Sequence, residues 1–218
     1  MLKISEMFKS IEGEGIRAGY PCIFIRLHGC NLRCSYCDSM YAVEGDDYTE
    51  MTVKEIWDNI VYEFGVSKSG LTKVTLTGGE PLIHKDTMEL VNFLLDNGCE
   101  VNIETNGACD ISPYLLRNVI ITMDWKSISS GMTTKMNVDN LRLLRDTDVI
   151  KFVVGSKEDL DQMQKVVQNT RAIPFVSPIF GEIEPKDIVQ YLLDNRLDEV
   201  RMQLQMHKFI WNPDKRGV

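Results

Sequence analysis

Three cysteines stand within eight residues of each other, as Cys30, Cys34 and Cys37 in a C-x3-C-x2-C spacing. Thiolates so close together are ligands for zinc or for an iron–sulfur cluster. Three of them are one short of the set that a closed zinc site or a fully protein-ligated [4Fe–4S] cluster needs. Either a distant cysteine completes the set, or one iron stays open to a small molecule. We expect the remaining cysteines to be mostly buried as small hydrophobic residues: Cys22, Cys99 and Cys109.

A second candidate site is the run Gly78-Gly79-Glu80-Pro81, which follows the apolar stretch 73–77. Two glycines allow a ligand to approach the backbone closely. Exposed backbone N–H groups together with a carboxylate hold an ammonium and carboxylate pair. A tight turn explains the same run equally well, so we interpret the run as a ligand site only in combination with the cysteine motif.

Apolar runs that predict strands alternate with segments of helical periodicity. A capping box of Thr52 with Glu55 and a stripe at 3.6-residue spacing predict the first helix. Further helices are expected at 84–97, with Gly98 as the C-terminal cap, near 113–117, and at 156–169 and 185–195. The predicted strands are 22–27, 73–77, 100–104, 119–123, 150–154, 175–179 and 199–204.

This alternation predicts βαβ units and an α/β fold with a mainly parallel sheet. About six strand–helix pairs fit in 218 residues, whereas a closed eightfold barrel needs about 250 residues. We therefore expect an open, partial (β/α)6 barrel. Both motifs fall at the carboxyl ends of strands, where parallel sheets bind their ligands. No repeat or linker divides the chain, so a single domain over 1–218 is expected.

The charge balance narrows the set of partners. Lys plus Arg is 24 and Asp plus Glu is 32, which gives a net charge of −8. Such a chain lacks the basic footprint of a nucleic-acid-binding domain. No apolar run predicts a membrane helix, and the N-terminus does not have the pattern of a signal peptide. We expect a cytoplasmic protein with reduced thiols, and neither a membrane nor a nucleic acid as direct partner.

The cysteine motif, with Tyr36 before its last cysteine, resembles that of the radical S-adenosylmethionine (SAM) superfamily. Gly78-Gly79-Glu80 follows about 40 residues later and matches the superfamily's GGE motif. The resemblance implies a [4Fe–4S] cluster whose open iron chelates SAM. An electron from the cluster then cleaves SAM and releases a 5′-deoxyadenosyl radical.

Further segments resemble one family, 7-carboxy-7-deazaguanine synthase, over nearly the whole chain. The matching segments are Ser10-Ile11-Glu12-Gly13-Glu14-Gly15, Arg26, Cys37-Asp38-Ser39-Met40-Tyr41, Glu104-Thr105-Asn106-Gly107, Gln205-Met206-His207-Lys208 and Lys215-Arg216-Gly217-Val218. The resemblance implies a ring contraction of 6-carboxy-5,6,7,8-tetrahydropterin to 7-carboxy-7-deazaguanine, with loss of ammonia, on the route to queuosine and related 7-deazapurines. It also implies regenerated SAM, Mg²⁺, a homodimer and a small flavoprotein as electron donor.

The resemblance further assigns residues to each ligand, and it expects the tail from about 205 to 218 to close the active site. The iron–sulfur ligands are Cys30, Cys34 and Cys37, and Ser39 offers a hydroxyl oxygen to Mg²⁺. For SAM the implied residues are Tyr36, Cys37, Asp38, Gly79, Glu80, Glu104, Asn106, Asp124, Trp125 and Lys126. For the substrate they are Ile11, Glu12, Gly13, Arg26, Thr77, His207 and Val218.

Residue chemistry suits some of these roles. The guanidinium of Arg26 matches the substrate carboxylate. The carboxylate of Glu12 accepts from the amino and ring N–H groups of a pterin. His207 is expected to donate to the substrate from the end of the last strand. One departure stands at Asp124-Trp125, where many family members have Ser-Pro; Asp124 suits a ribose hydroxyl instead.

Two alternatives remain open at this point. Another small radical SAM enzyme, such as a glycyl-radical activase, would accept a protein instead of a pterin. A non-catalytic zinc or iron–sulfur protein would need a fourth protein ligand, and the candidates are Cys22, Cys99 and Cys109.

Overall fold

The computed structural model describes residues 1–66, 71–212 and 215–218. Their strands form one sheet in the order β3-β1-β2-β4-β5-β6-β7-β8-β9. The strands are β1 Leu2–Ile11, β2 Pro21–Leu27, β3 Thr49–Met51, β4 Thr72–Gly78, β5 Cys99–Thr105, β6 Val119–Trp125, β7 Val149–Val154, β8 Ile173–Pro178 and β9 Arg201–Met202. From β2 through β9 neighbouring strands are parallel, whereas β1 and β3 add to the edge antiparallel. The expected open, mainly parallel sheet is confirmed.

Helices connect the strands and cover one face of the sheet. They are α1 Val53–Asn59, α2 Thr87–Asp96, α3 Asn140–Leu143, α4 Lys157–Val166, α5 Pro185–Asp194 and α6 His207–Ile210. The predicted capping box is present, since Glu55 N donates to Thr52 Oγ1 at 3.2 Å and Thr52 N donates to Glu55 at 2.7 Å. Ser156 caps α4 as expected, by accepting from Asp159 N. No helix in the described ranges combines the length and the apolar character that crossing a membrane requires.

Alternation along the strands separates two environments. One face of β4 to β7 carries the apolar core, represented by Leu76, Ile103, Ile121 and Phe152. The residues between them point to the other face, which is the interior of the open barrel, and many are polar. These interior residues are Thr75, Thr77, Asn102, Glu104, Thr122, Asp124 and Lys151. Strand alternation therefore lines the barrel interior with side chains that can hydrogen-bond to a ligand or carry a charge.

Several elements differ from the sequence-based expectation. It did not contain β3 or α3, and of the helix expected near 113–117 only the 3-10 turn Ser112–Tyr114 forms. The strand β1 was missed because a register shift between Ile4 and Glu6 interrupts its alternation and most of it is only half-buried. The last strand spans two residues instead of 199–204, because the chain leaves the sheet after Met202. His207 therefore does not end a strand, as we expected, but begins α6. The position of β1 matters for the site, since it ends at Ile11, immediately before Glu12.

Candidate active site

A cavity of about 780 Å³ lies at the carboxyl ends of the strands. All but two of the residues assigned from sequence line it. Those in its wall are Ile11, Glu12, Gly13, Arg26, Cys30, Cys34, Tyr36, Cys37, Asp38, Ser39, Thr77, Gly79, Glu104, Asn106, Asp124, Lys126, His207 and Val218. The fold thus brings the cysteines, the acidic N-terminal segment and the C-terminal tail around one space.

Residues 28–41, which we call the cysteine loop, are held against the end of β4 by the backbone. Gly79 N donates to Leu27 O at 3.1 Å, and Glu80 N donates to Gly29 O at 2.8 Å. A Cβ atom on Gly79 would collide with the Gly29 carbonyl. The glycine pair is therefore needed for this close approach of two chain segments, and it places the thiols beside the barrel interior.

The three thiols of the cysteine loop are free and line the same cavity. Cys30 Sγ accepts from Leu32 N at 3.4 Å and from Asn106 Nδ2 at 3.6 Å, and burial raises the pKa of both Cys30 and Cys34. Within the described part of the chain, no three His, Cys, Asp or Glu side chains converge as they do around a single metal ion. Three thiols in the wall of one cavity are one short of the four ligands that a closed zinc site needs.

The other cysteines are placed differently. Cys22 and Cys99 are each 1% exposed, within β2 and β5, as expected for small hydrophobic residues. Cys109 is half-buried, and its sulfur accepts from Asn31 Nδ2 at 3.8 Å. None of these three appears among the described residues that line the cavity.

Glu80 corrects one expectation from the sequence. Its carboxylate is fully buried and lies outside the cavity wall. It accepts hydrogen bonds from Leu82 N at 3.0 Å, Thr105 Oγ1 at 2.8 Å and Asn106 N at 2.6 Å. With both oxygens occupied by the protein, Glu80 fixes the end of β5. Asn106 then extends to the cysteine loop, where its amide donates to Asn31 at 2.8 Å.

Trp125 is the second correction, and strand alternation explains it. Asp124 and Lys126 line the cavity, so the residue between them points to the opposite face of the sheet, where Trp125 joins the apolar core at 5% exposure. Asp124 pairs with Lys126 at 2.8 Å. Burial disfavours the ammonium of Lys126, but the charge and hydrogen bond of Asp124 together with Cys34 outweigh burial and raise the pKa of that lysine.

Two carboxylates, Glu12 and Glu104, face the cavity from adjacent sides. Thr75 Oγ1 donates to Glu12 Oε2 at 2.7 Å, and Thr77 Oγ1 donates to Glu104 Oε2 at 2.7 Å. Burial, and then the charge of Glu104, raises the pKa of Glu12 to about 7. Carboxylates this close favour a ligand that brings hydrogen-bond donors.

Arg26 adds a positively charged hydrogen-bond donor to the same cavity. Its Nε donates to Glu6 Oε1 at 2.6 Å, and the Tyr41 hydroxyl donates to the same oxygen at 2.8 Å. Neither terminal nitrogen of its guanidinium hydrogen-bonds to a described residue. Arg26 is therefore held in place by Glu6 while its terminal fork stays available for a carboxylate.

Ser39 lies in the cavity wall beside Asp38. Its hydroxyl donates to Asp38 Oδ1 at 3.1 Å, and Lys208 Nζ lies 3.5 Å from Asp38 Oδ2. Burial opposes the charge of Asp38, but Lys208 and the Ser39 hydroxyl, together with more distant cations, outweigh burial and lower the pKa of Asp38. A hydroxyl and an ionised carboxylate at one place are the oxygen ligands that Mg²⁺ prefers.

Glu14 connects the loop after β1 to β7 and to the segment after β9, a set of contacts that no single sequence motif indicated. Glu14 accepts from Lys151 Nζ at 3.1 Å, from Gln203 Nε2 at 3.2 Å and from Gln205 Nε2 at 3.4 Å. We call the contacts of residues 12–15 with Lys151 and with residues 203–207 the seam. Burial opposes the charge of Lys151, but Glu14 and then Asp124 raise its pKa well above the usual value. A lysine inside the apolar strand 150–154 was the available signal.

The C-terminal tail completes the wall. Met206 N donates to Gly13 O at 3.3 Å, and a Cβ on Gly13 would lie 2.8 Å from His207 Nδ1. Burial lowers the pKa of His207. Further along, the Arg216 guanidinium lies 3.6 Å from the centre of the Tyr41 ring, and Val218 also lines the cavity.

Comparison with known proteins agrees with this arrangement. The family model of the radical SAM superfamily matches residues 24–119. A 7-carboxy-7-deazaguanine synthase of Clostridium acetobutylicum is 44% identical over 99% of both chains. One from Methanospirillum hungatei is 43% identical over 97% of this chain and 86% of its own. The crystal structure of QueE from Escherichia coli superimposes with a TM-score of 0.75 over 94% of both chains, at 23% identity. The chain therefore belongs to the 7-carboxy-7-deazaguanine synthase family of the radical SAM superfamily.

Proposed function

We propose that this protein is a lyase that converts 6-carboxy-5,6,7,8-tetrahydropterin into 7-carboxy-7-deazaguanine, for the biosynthesis of 7-deazapurines such as queuosine. Loss of ammonia accounts for the whole difference in composition between substrate and product. The observation that carries the proposal is one cavity that holds a three-thiol loop, a buried carboxylate at Glu12 and an available guanidinium at Arg26. The relatives named for this reaction support it.

The two ends of the substrate match the two polar sides of the cavity. Glu12 Oε2 is held by Thr75, and no described residue donates a hydrogen bond to its Oε1. That oxygen is suited to accept from the amino and ring N–H groups of the pterin. Arg26 is suited to bind the carboxylate at C6, and Thr77 and His207 lie between as further contacts. Backbone from Ile11 to Gly13 supports the ring, and the Val218 carboxylate is assigned to the same site.

We assign the cofactors to the remaining wall. Cys30, Cys34 and Cys37 fit a [4Fe–4S] cluster with one open iron. A bound cluster and SAM would supply the radical that removes the hydrogen at C6. The SAM contacts we retain are Tyr36, Cys37, Asp38, Gly79, Glu104, Asn106, Asp124 and Lys126. Ser39, next to Asp38, is the proposed Mg²⁺ ligand.

Further parts of the proposal concern the surroundings of the site. We treat residues 1–218 as one domain whose tail, from about 205 to 218, closes the cavity. A homodimer and a small flavoprotein electron donor are the expected partners, and neither nucleic acid nor membrane is a direct one. Six free thiols suit the reducing cytoplasm.

An anaerobic turnover experiment tests the function. The cluster is reconstituted, and SAM, dithionite, Mg²⁺ and 6-carboxytetrahydropterin are added, with product followed by mass spectrometry and ultraviolet absorbance. We expect 7-carboxy-7-deazaguanine and ammonia without net loss of SAM. SAM cleavage without that product would refute the substrate, and neither cleavage nor a cluster would favour the non-catalytic alternative.

A further inference from the structure

Arg17 is a buried charge that the proposed reaction has not yet used. It ends the short 3-10 turn Gly15–Arg17 and is 5% exposed. The surrounding loop folds back on itself, since Glu12 N donates to Tyr20 O at 2.8 Å and Gly19 N donates to Glu12 O at 2.8 Å. The Arg17 guanidinium therefore lies inside the barrel, next to Glu12, the first residue of the loop.

The contacts of Arg17 form a chain that ends on Glu12. Arg17 Nη2 donates to Thr75 Oγ1 at 2.9 Å and to Cys22 Sγ at 2.9 Å, and it lies 3.6 Å from Glu12 Oε2. Arginine has no acceptor atom, so the Thr75 hydroxyl must accept from it. The hydroxyl hydrogen of Thr75 is then directed to Glu12 Oε2, 2.7 Å away.

We propose that Arg17 is a positioning residue of the substrate site. Acting through Thr75, it fixes one oxygen of Glu12 so that the other faces the cavity as an acceptor for the donor edge of the substrate. The inference rests on the proposed function, because only a substrate with adjacent N–H donors needs such an acceptor.

The acidic groups around Glu12 explain why its carboxylate needs a cation and a hydrogen-bond donor beside it. Glu14 on the same loop and Glu104 on β5 oppose ionisation of Glu12, as burial does. Thr75 and Arg17 favour ionisation, and Cys22 on β2 lies beside them. Glu100 on β5 also faces Arg17, since Arg17 Nη1 donates to Glu100 Oε1 at 3.4 Å. Without Arg17, Glu12 keeps its proton over a wider pH range and loses acceptor capacity toward the substrate.

The test uses cluster-loaded enzyme with Arg17→Met, Thr75→Val and Thr75→Ser, and Arg171→Met as a matched change at an exposed arginine. KM and Kd for the pterin are measured across neutral pH, together with kcat, SAM affinity and iron content. We expect Arg17→Met and Thr75→Val to weaken pterin binding about tenfold at neutral pH and less in alkali, where Glu12 ionises unaided. Thr75→Ser, which keeps the hydroxyl, should recover most of the binding that Thr75→Val loses. Arg171→Met should match the wild type, and the loss in the other variants should appear in KM and Kd for the pterin and not in kcat or SAM affinity.

Other outcomes have distinct meanings. Pterin binding equal to that of Arg171→Met, or a loss that is the same at every pH and is not rescued in Thr75→Ser, overturns the inference. If Arg17→Met does not fold, the Thr75→Val and Thr75→Ser pair decides alone. A wild-type enzyme that neither binds nor converts the pterin refutes the proposed function itself, whatever the variants do.

Discussion

The cysteine loop and the seam both line one cavity, but they are held by different interactions. Backbone groups dock the cysteine loop, through Gly79 N to Leu27 O and Glu80 N to Gly29 O. The seam depends on the Glu14 carboxylate and the side chains that donate to it, chiefly Lys151 at 3.1 Å. Docking of the cysteine loop requires glycine at the end of β4, whereas the seam requires charged side chains.

This difference suits the two tasks that we propose. A cluster needs its ligands at fixed positions, and backbone hydrogen bonds at a strand end provide such positions irrespective of pH. A substrate must enter and leave, and the seam can separate without breaking any strand pairing. Since buried side-chain charges lose much when one partner is removed, the seam should also respond more strongly to charge and pH.

The largest expected effect is loss of the iron–sulfur cluster when one of the three proposed ligand cysteines is replaced. Cys34→Ala should abolish cluster binding and all turnover, because two thiolates do not hold the cluster. Cys109→Ala is the matched control and should retain both, since its sulfur is outside the cavity wall. Iron and sulfide content after reconstitution measure the outcome. Loss of iron in Cys109→Ala would indicate a fourth protein ligand and a closed site.

Matched glycine substitutions test the two regions directly. In Gly79→Ala the new methyl group meets the Gly29 carbonyl and lies 2.9 Å from Cys30 Cβ, so we expect iron content to fall about tenfold or more. In Gly13→Ala it meets the His207 ring at 2.8 Å, a side chain that can move. That variant should keep its iron and show only a raised substrate KM. Equal iron loss in both variants would contradict the distinction.

A double-mutant cycle measures the charge dependence of the seam. Lys151→Met leaves Glu14, Asp124 and Glu104 without their shared cation, and it should lower the free energy of unfolding by about 3–5 kcal/mol. Adding Glu14→Gln to Lys151→Met should recover part of that loss. Denaturant unfolding of the cluster-loaded protein gives the values, with Lys157→Met at an exposed ion pair as control. Additive losses would mean that the pair is not coupled.

The same two regions show what the sequence could predict. The cysteine loop was found because its ligands lie within eight residues and their spacing alone carries the chemistry. The seam was missed because its partners are 137, 189 and 191 residues apart. Only the folded sheet brings them together, and no local pattern encodes that pairing.

Errors at individual residues have local physical causes. A motif match placed Glu80 against a ligand, but its carboxylate is occupied by Leu82 N, Thr105 and Asn106 N. Trp125 was assigned with its neighbours, although alternation along β6 turns it to the core. The parallel sheet itself was predictable, because apolar strands and capped helices are encoded over a few residues.

The raised pKa of Glu12 predicts that ionising this carboxyl lowers the stability of the folded protein, although substrate binding uses its acceptor oxygen. Its pKa in the folded protein is about 7, above the ordinary 4.5. A carboxyl with a raised pKa contributes stability below its unfolded pKa, and that contribution is lost as the pH rises through about 7. Glu12→Gln should therefore be more stable than the wild type in mild alkali, by on the order of 2 kcal/mol, and the difference should vanish toward pH 4.5.

Melting temperatures across this pH range, without substrate, measure the effect. The variant should also bind the pterin poorly at every pH, since an amide offers one acceptor and cannot ionise. Thr77→Val is a useful comparison because it removes a hydroxyl that serves Glu104 instead. A pH-independent difference between Glu12→Gln and wild type would show that Glu12 is ionised throughout.

The smallest expected effect concerns a contact of the tail with the cysteine loop that lies beyond the ion pair of Lys208 with Asp38. The Arg216 guanidinium stacks on the Tyr41 ring, a contact that contributes about 0.5–1 kcal/mol. Arg216→Ala should therefore raise the substrate KM only about two- to fivefold, with unchanged iron content and SAM affinity. Tyr41→Phe keeps the ring but removes the hydroxyl that donates to Glu6, so it separates stacking from hydrogen bonding. If Arg216→Ala loses iron as well, tail closure and cluster geometry are coupled, and the two regions are not independent.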